Sequence, residues 1–398
     1  MEKNKAFKKL VIGQMFANIG DIIYTIAVVS SVFTLTNSAL AASLAPVIMT
    51  VGTVFSGVLT PVLINYATLT EVLRKTQLFK TFILIGLAVY LNLKVNNENL
   101  FFLYTFIFSI SFLDGCAEPI TRALIPHYAE KSYLIRANSI FSTMLQIVSI
   151  GGWAVGSSLL ILFSISGLIW INVGIFAIAT LAFWYLPTVS TTDNADEDRW
   201  KNLICGWQEI RKQPIIFTIV SMDILESIAN TAWISAVVLV FVKDVLHVSE
   251  NWWGYINATY FLGAALGSML VFYLNVMVDK NKSKVIVISS ILGGVITFLV
   301  ALGGNPLLIL VYSILIGVFM QVKNIPQATI LQQKVDRNKL TSVYAATGIL
   351  NTATFSLSSL LMGAVADTLG VNIVFVFSGI LLFVVAFIAR NKRKLLDE

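Results

Sequence analysis

Seven ionisable residues of this chain stand inside long apolar runs: Asp21; Asp114, Glu118 and Arg122; Asp223 and Glu226; and Lys323. A charge at bilayer depth costs about 2.5–3.5 kcal/mol on insertion scales, so each requires a partner, water or a function. Their spacing is ordered. Asp114, Glu118 and Arg122 follow at i, i+4 and i+8 along one helix face, and Asp223 and Glu226 follow at i, i+3. Gln14, Asn18, Asp21 and Thr25 form a polar stripe at helical spacing, and Asp223, Ser227 and Asn230 form a second. Such stripes face water or protein rather than lipid. Tyr24 and Trp233, three residues beyond Asp21 and Asn230, share those faces and are placed to complete a pocket for an organic solute. The candidates for binding a small charged molecule are therefore Asp21, Tyr24, Asp114, Glu118, Arg122, Asp223, Glu226, Asn230, Trp233 and Lys323. For Glu118 and Arg122, an i, i+4 pair that only locks one helix is equally open. Removal from water favours the protonated form of a carboxylate, which makes Asp21, Glu118, Asp223 and Glu226 the candidates for carrying protons.

The elements that hold these residues follow from composition. With 57% hydrophobic and 12% charged residues, the chain is far more apolar than a soluble domain, where charged residues make up roughly a quarter. A membrane helix needs about 20 predominantly apolar residues. Runs of that kind lie at 8–35, 39–65, 78–95, 100–127, 136–163, 166–187, 214–242, 251–278, 284–303, 306–333, 339–366 and 371–390. Twelve membrane helices are expected, with the charges on the first, fourth, seventh and tenth. The hydrophilic stretch at 188–213 divides the chain into a six-helix half at 1–187 and a second at 214–398. Pro119 and Pro326 lie at similar depth in the fourth and tenth runs, and matched helix interruptions point to the binding region of a repeat-built membrane protein. Counting back from them sets Lys323 opposite Cys116, between Asp114 and Glu118. A two-fold relation between the halves then predicts that Lys323 pairs with one of those acids in one state of the transport cycle, or binds an acidic group of the cargo. Five acids against two bases leave this set of residues net negative, which favours a solute bearing an amine.

Of the 27 basic residues, all but Lys94, Arg122, Lys243 and Lys323 fall in the segments that are intracellular if the N-terminus is cytoplasmic, Arg74, Lys75 and Lys80 among them. Both termini are thereby expected in the cytoplasm. The net charge of +6 is spread over short loops and forms no arm or groove, which excludes a nucleic-acid partner. With two cysteines and two histidines, neither a metal site nor a catalytic constellation is expected, and no cofactor. A membrane enzyme or receptor would need such a site or a soluble sensor domain, and the longest loop is too short for one.

The segment from Pro119 to Pro126, followed by Arg136-Ala137-Asn138-Ser139, resembles the corresponding region of the macrolide-efflux-like exporters. These are a branch of the bacterial drug:proton antiporters within the major facilitator superfamily. Opine-metallophore exporters of the staphylopine type are similar as well. The resemblance extends over nearly the whole chain. It implies an all-α membrane protein of twelve helices in two pseudo-symmetric six-helix bundles, monomeric and multi-pass in the bacterial cytoplasmic membrane. It also implies export of a drug such as a macrolide, or of a metallophore, by proton-coupled alternating access. The pattern departs in places. Asn65 to Glu71 replaces the family's basic loop between helices 2 and 3, and Gly151-Gly152-Trp153 stands where the antiporters have a Gly-Pro pair. A proton-coupled importer of a small nutrient has the same fold, and direction is not encoded in these residues.

Cysteine labelling tests the topology. In a background lacking Cys116 and Cys205, single cysteines near Asn97 and His247 are expected to react with an impermeant thiol reagent in intact cells. Those at Lys75, Arg199, Lys282 and Arg337 are expected not to. Outside labelling at Lys282 contradicts the twelve-helix order.

Overall fold

A computed structural model describes residues 2–36, 39–64, 66–93, 100–189, 199–234, 237–249 and 251–397. Lys94, Asn97 and the linker segment 190–198 lie outside the described residues. Among the described residues the regular structure is helical throughout. The long helices of the first half are α1 (Glu2–Thr36), α2 (Ala39–Leu63), α3 (Leu69–Asn92), α4 (Leu100–Gly115, then Ala117–Tyr128), α5 (Leu134–Leu162) and α6 (Ile165–Trp184). Those of the second are α7 (Pro214–Ile234, then Val237–Asp244), α8 (Asn251–Tyr273), α9 (Lys282–Ala301), α10 (Pro306–Lys334), α11 (Arg337–Leu369) and α12 (Val371–Asn391). Among the described residues, ten helices are long and apolar enough to cross a membrane. The two outside that set are α3, which carries Arg74, Lys75 and Lys80, and α5, whose side chains at 153–158 are not described.

The chain forms two compact units. One comprises 1–130, 148–208 and 337–349, and the other 131–147, 209–336 and 350–398. In the first, α1 packs on α2, α4 and α6, α2 packs on α4, and α3 packs on α4 and α6. In the second, α7 packs on α10 and α12, α8 on α10, and α9 on α10 and α12. The same arrangement thus recurs with an offset of six helices: two pseudo-symmetric six-helix bundles in an all-α membrane protein. The 188–213 stretch contains one element not foreseen from its polarity, a linker helix at Arg199–Lys212.

Close helix crossings rest on small residues, because dispersion rather than hydrophobic exclusion draws helices together in lipid. A methyl group on Gly263 of α8 would overlap the Ile314 carbonyl oxygen of α10, and one on Gly317 would overlap that of Tyr260. In the first bundle Gly52 of α2 faces the Phe108 carbonyl, and Gly115 of α4 faces Thr53 and Ser56. On α1, Gly13 admits the ring of Phe183 and Gly20 the ring of Phe176, both from α6. Expected prolines act unequally. α4 breaks at Cys116, where Pro119 has no N–H for the Gly115 carbonyl, whereas α10 runs unbroken through Pro326. The two halves therefore do not share a matched interruption.

Gly263→Ala is expected to lower stability by about 1–3 kcal/mol through overpacking against backbone that cannot yield. Gly174→Ala, with nothing near its missing Cβ, is expected to leave thermal unfolding in detergent unchanged or raised. Equal melting of the two variants contradicts this packing.

Candidate functional site

The site in the first bundle is set by where α3 begins. Thr68 caps the helix: its hydroxyl accepts from the Glu71 amide at 3.2 Å, and its own amide donates to Glu71 Oε2 at 3.1 Å. This capping box satisfies two backbone donors at once. Arg74 donates to the carbonyls of Phe183 and Leu186, and Leu69 donates to that of Val189, fastening the first turns to the end of the bundle. The helix therefore starts nine residues before the apolar run at 78–95. Lys80 is carried into the bundle, which corrects its assignment to an intracellular loop. It is fully buried, with Nζ 2.5 Å from Asp21 Oδ1 of α1 and 2.7 Å from Asp114 Oδ1 of α4. The Phe176 ring of α6 covers it, the centroid 4.1 Å from Nζ. The carboxylates are partly open, at 29% and 33% exposure, so the ammonium lies behind a pair of acids that meet the bundle's accessible face. With Lys80 inside, the bundles hold five acids against three bases, not two, and the negative excess shrinks accordingly.

The second bundle pairs its lysine differently. Lys323 of α10 is fully buried, and its Nζ lies 2.5 Å from Oε2 of Glu226, itself 6% exposed. Gln327, one turn further along α10, donates to Glu226 Oε1 at 3.0 Å. Asn324, with its amide nitrogen turned inward, reaches Oε2 at 3.3 Å and the Met320 carbonyl at 3.1 Å. Both oxygens of Glu226 are thus engaged by three neighbours from one stretch of α10. Lys323 thus has its partner on α7 within its own bundle, and Asp114 is taken by Lys80. Asp223, three residues before Glu226, is half-buried.

The remaining candidates divide by environment. Glu118 and Arg122 pair with each other at 2.9 Å, and Glu118 is 70% exposed, apart from the Lys80 cluster. Asn230 accepts from the Tyr260 hydroxyl at 3.4 Å and is half-buried. Trp233 is packed in the apolar core, edge-on to Phe375 at 5.6 Å, with its indole N–H donating to Thr297 at 3.3 Å. Tyr24 is buried, and its hydroxyl finds no hydrogen-bond partner among the described residues. The same holds for both amide atoms of Asn172 and for Gln77 Oε1, deep in the same bundle. Each such orphan costs about 1–3 kcal/mol if left unmade.

Along α1, Asn18 donates to the Gln14 carbonyl and Thr25 to that of Asp21, while Thr121 of α4 donates to Gln14 Oε1 at 3.1 Å. The polar stripe read from the sequence is therefore half-open and tied to α4. Among the described residues no group of His, Cys, Asp or Glu side chains is arranged to hold a metal ion. Asn138 of the Arg136-Ala137-Asn138-Ser139 segment exchanges amide hydrogen bonds with Gln332 at 2.7 and 3.2 Å and donates to Thr329 at 3.0 Å, clasping α5 to the end of α10 within the second unit.

Comparison with known proteins places the architecture. The family model of the Major Facilitator Superfamily matches residues 10–359 and, again, 224–394. The chain is 28% identical over 389 residues to the MFS-type transporter YfmI of Bacillus subtilis (strain 168), covering 96% of this chain and 95% of that one. It is 26% identical to YjbB of the same organism, covering 98% and 96%. In structure it is similar to the Escherichia coli fucose:proton symporter FucP, with a TM-score of 0.79 at 14% identity over 98% of this chain and 99% of that one. A bacterial homologue of the iron transporter ferroportin in its outward-facing state is similar to the same degree, 0.79 at 13% identity, with the same coverage. Paired six-helix bundles with buried charges on their inner helices, together with these matches along the full length, establish that the chain is a multi-pass membrane transporter, not an enzyme, and belongs to the Major Facilitator Superfamily.

Proposed function

We propose that this transporter is a proton-coupled secondary active exporter of a small organic solute bearing an amine, working by alternating access in the bacterial cytoplasmic membrane. The observation that carries the reading is the Asp21–Lys80–Asp114 cluster, where two partly open carboxylates share one buried ammonium. With both acids ionised the cluster carries one net negative charge. A proton on either acid, or a cationic group beside them, restores neutrality. Both at once would leave an uncompensated positive charge in a low-dielectric interior. Proton and cationic cargo therefore exclude one another, which is the condition for exchange. Outward direction, and a macrolide or metallophore as cargo, rest on the resemblance of the Pro119–Pro126 and Arg136–Ser139 segments to efflux proteins. The cytoplasmic placement of both termini rests on the basic loops. Residues 1–187 and 214–398 are taken as the two rocking bodies, joined by the 188–213 linker, in a monomer.

Within this reading the acids have unequal roles. Asp21 and Asp114 exchange protons, and Asp223 and Asn230 present the second bundle's polar face to the cargo. Glu226, held by Lys323, Gln327 and Asn324, is a fixed counter-ion. Glu118 and Arg122 are an exposed pair at the edge of the path, and Tyr24 belongs to the first bundle's polar interior.

Two measurements follow. In everted vesicles, Asp21→Asn and Asp114→Asn are each expected to abolish pH-driven uptake of a lipophilic amine, since loss of a buried charge partner costs about 2–5 kcal/mol in binding. Wild-type uptake by both variants rejects the coupling, and uptake in right-side-out vesicles driven by an inward proton gradient instead indicates import. Glu226→Gln leaves Lys323 buried without its counter-ion, and a loss of about 3–5 kcal/mol of stability is expected. Adding Lys323→Met should restore the melting temperature. No rescue by the double variant shows that Glu226 acts elsewhere.

A further inference from the structure

The first bundle contains polar atoms that its helices leave unsatisfied: the Tyr24 hydroxyl, both amide atoms of Asn172, and Gln77 Oε1. All three residues are buried. Their positions are related. Gly13 of α1 faces Phe183 of α6 and Gly20 faces Phe176, so the two helices are antiparallel. Asn172, one turn before Phe176, is then level with Tyr24, one turn beyond Gly20. Gly20 opens the space: a Cβ there would lie 2.9 Å from Asn172 Oδ1. Gln77 sits one turn before Lys80 on α3. Tyr24 and Asn172 therefore lie level with one another near the buried ammonium, whereas Gln77 stands further toward the start of α3, where Thr81, one turn on, meets Thr180 of α6 at 3.2 Å. Phe176 covers the ammonium at 4.1 Å. A buried amide with neither atom bonded is scarcely tolerated in a folded protein, and a water molecule with several polar neighbours is the ordinary remedy.

We propose that ordered water occupies the space between Tyr24 and Asn172 and delivers protons from it to Asp21 and Asp114. The charged groups it meets are Asp21 from α1, Lys80 from α3 and Asp114 from α4, and α6 contributes only Asn172 and Phe176. The hydration site stands on geometry alone. The proton route rests additionally on the exchange mechanism proposed above.

Hydroxyl-radical footprinting of the detergent-solubilised transporter tests the site without any transport assay, because radicals formed from bound water oxidise the side chains beside it. Tyr24 should be oxidised at a rate approaching that of exposed Tyr66, despite its burial. Asn172→Leu, which replaces an amide with an apolar side chain of similar size, should lower Tyr24 oxidation several-fold and leave Tyr66 unchanged. Tyr24 protected in the wild type means a dry core and overturns the proposal with no variant needed. For the route, a pH jump on proteoliposomes should show proton uptake slowed several-fold in Asn172→Leu, with equilibrium binding of the lipophilic amine unchanged. Wild-type proton uptake in that variant, with the footprint present, leaves the water structural and overturns the route. Coupling that survives Asp21→Asn and Asp114→Asn would instead sink the exchange mechanism, and the footprint would stand.

Discussion

An ammonium group taken fully out of water requires a counter-charge, and much of the inner architecture of the first bundle serves that requirement for Lys80. Asp21 reaches it from α1 and Asp114 from α4, and Phe176 covers it from α6. Gly20 is needed so that Phe176 can come that close. The Thr68–Glu71 box fixes the register of α3 so that the lysine arrives at this depth. Four helices are thus tied together by one charge. Because two acids answer one base, the cluster retains a deficit that a proton or a cation can fill.

The second bundle meets the same constraint with the opposite outcome. Lys323 and Glu226 are both sealed from the surface, and Gln327 and Asn324 engage the carboxylate as well. A carboxylate so fully bonded is held in place, since each bond would have to be remade in low dielectric for it to move. The asymmetry is laid on a symmetric scaffold: α1 and α7 each present a half-buried polar stripe, and the packing of helices repeats with an offset of six. The fold supplies two equivalent faces, and the side chains leave one with two acids against one base and close the other with a matched ion pair.

Much of this was legible from residues alone. Hydropathy placed twelve helices to within a few residues in most cases, and the i, i+3 and i+4 spacings identified Asp21, Asp114, Asp223 and Glu226 as interior. Lys80 was missed for a physical reason. Its neighbours Arg74 and Lys75 make the sequence read as a polar turn, and only the Thr68-x-x-Glu71 spacing signals that the helix has already begun. Lys323 was recognised as buried, but its partner Glu226 was not singled out, because a symmetry argument looks across the halves and cannot see that α10 lies against α7. Trp233 shares a helix face with Asn230, yet its indole fills the core beside Phe375. Asn172 and Gln77 carry no charge and stand in no stripe, so nothing in their spacing distinguishes them from ordinary helix residues.

The central claim is that a proton and a cationic cargo compete for the charge deficit of the Asp21–Lys80–Asp114 cluster. It is tested most directly by proton release from the purified transporter in weakly buffered detergent solution, on addition of a lipophilic amine. The account predicts acidification of the medium by the wild-type protein and none by Asp114→Asn, whose remaining acid and base already neutralise each other. Equal proton release from both proteins, at matched amine occupancy, would contradict it.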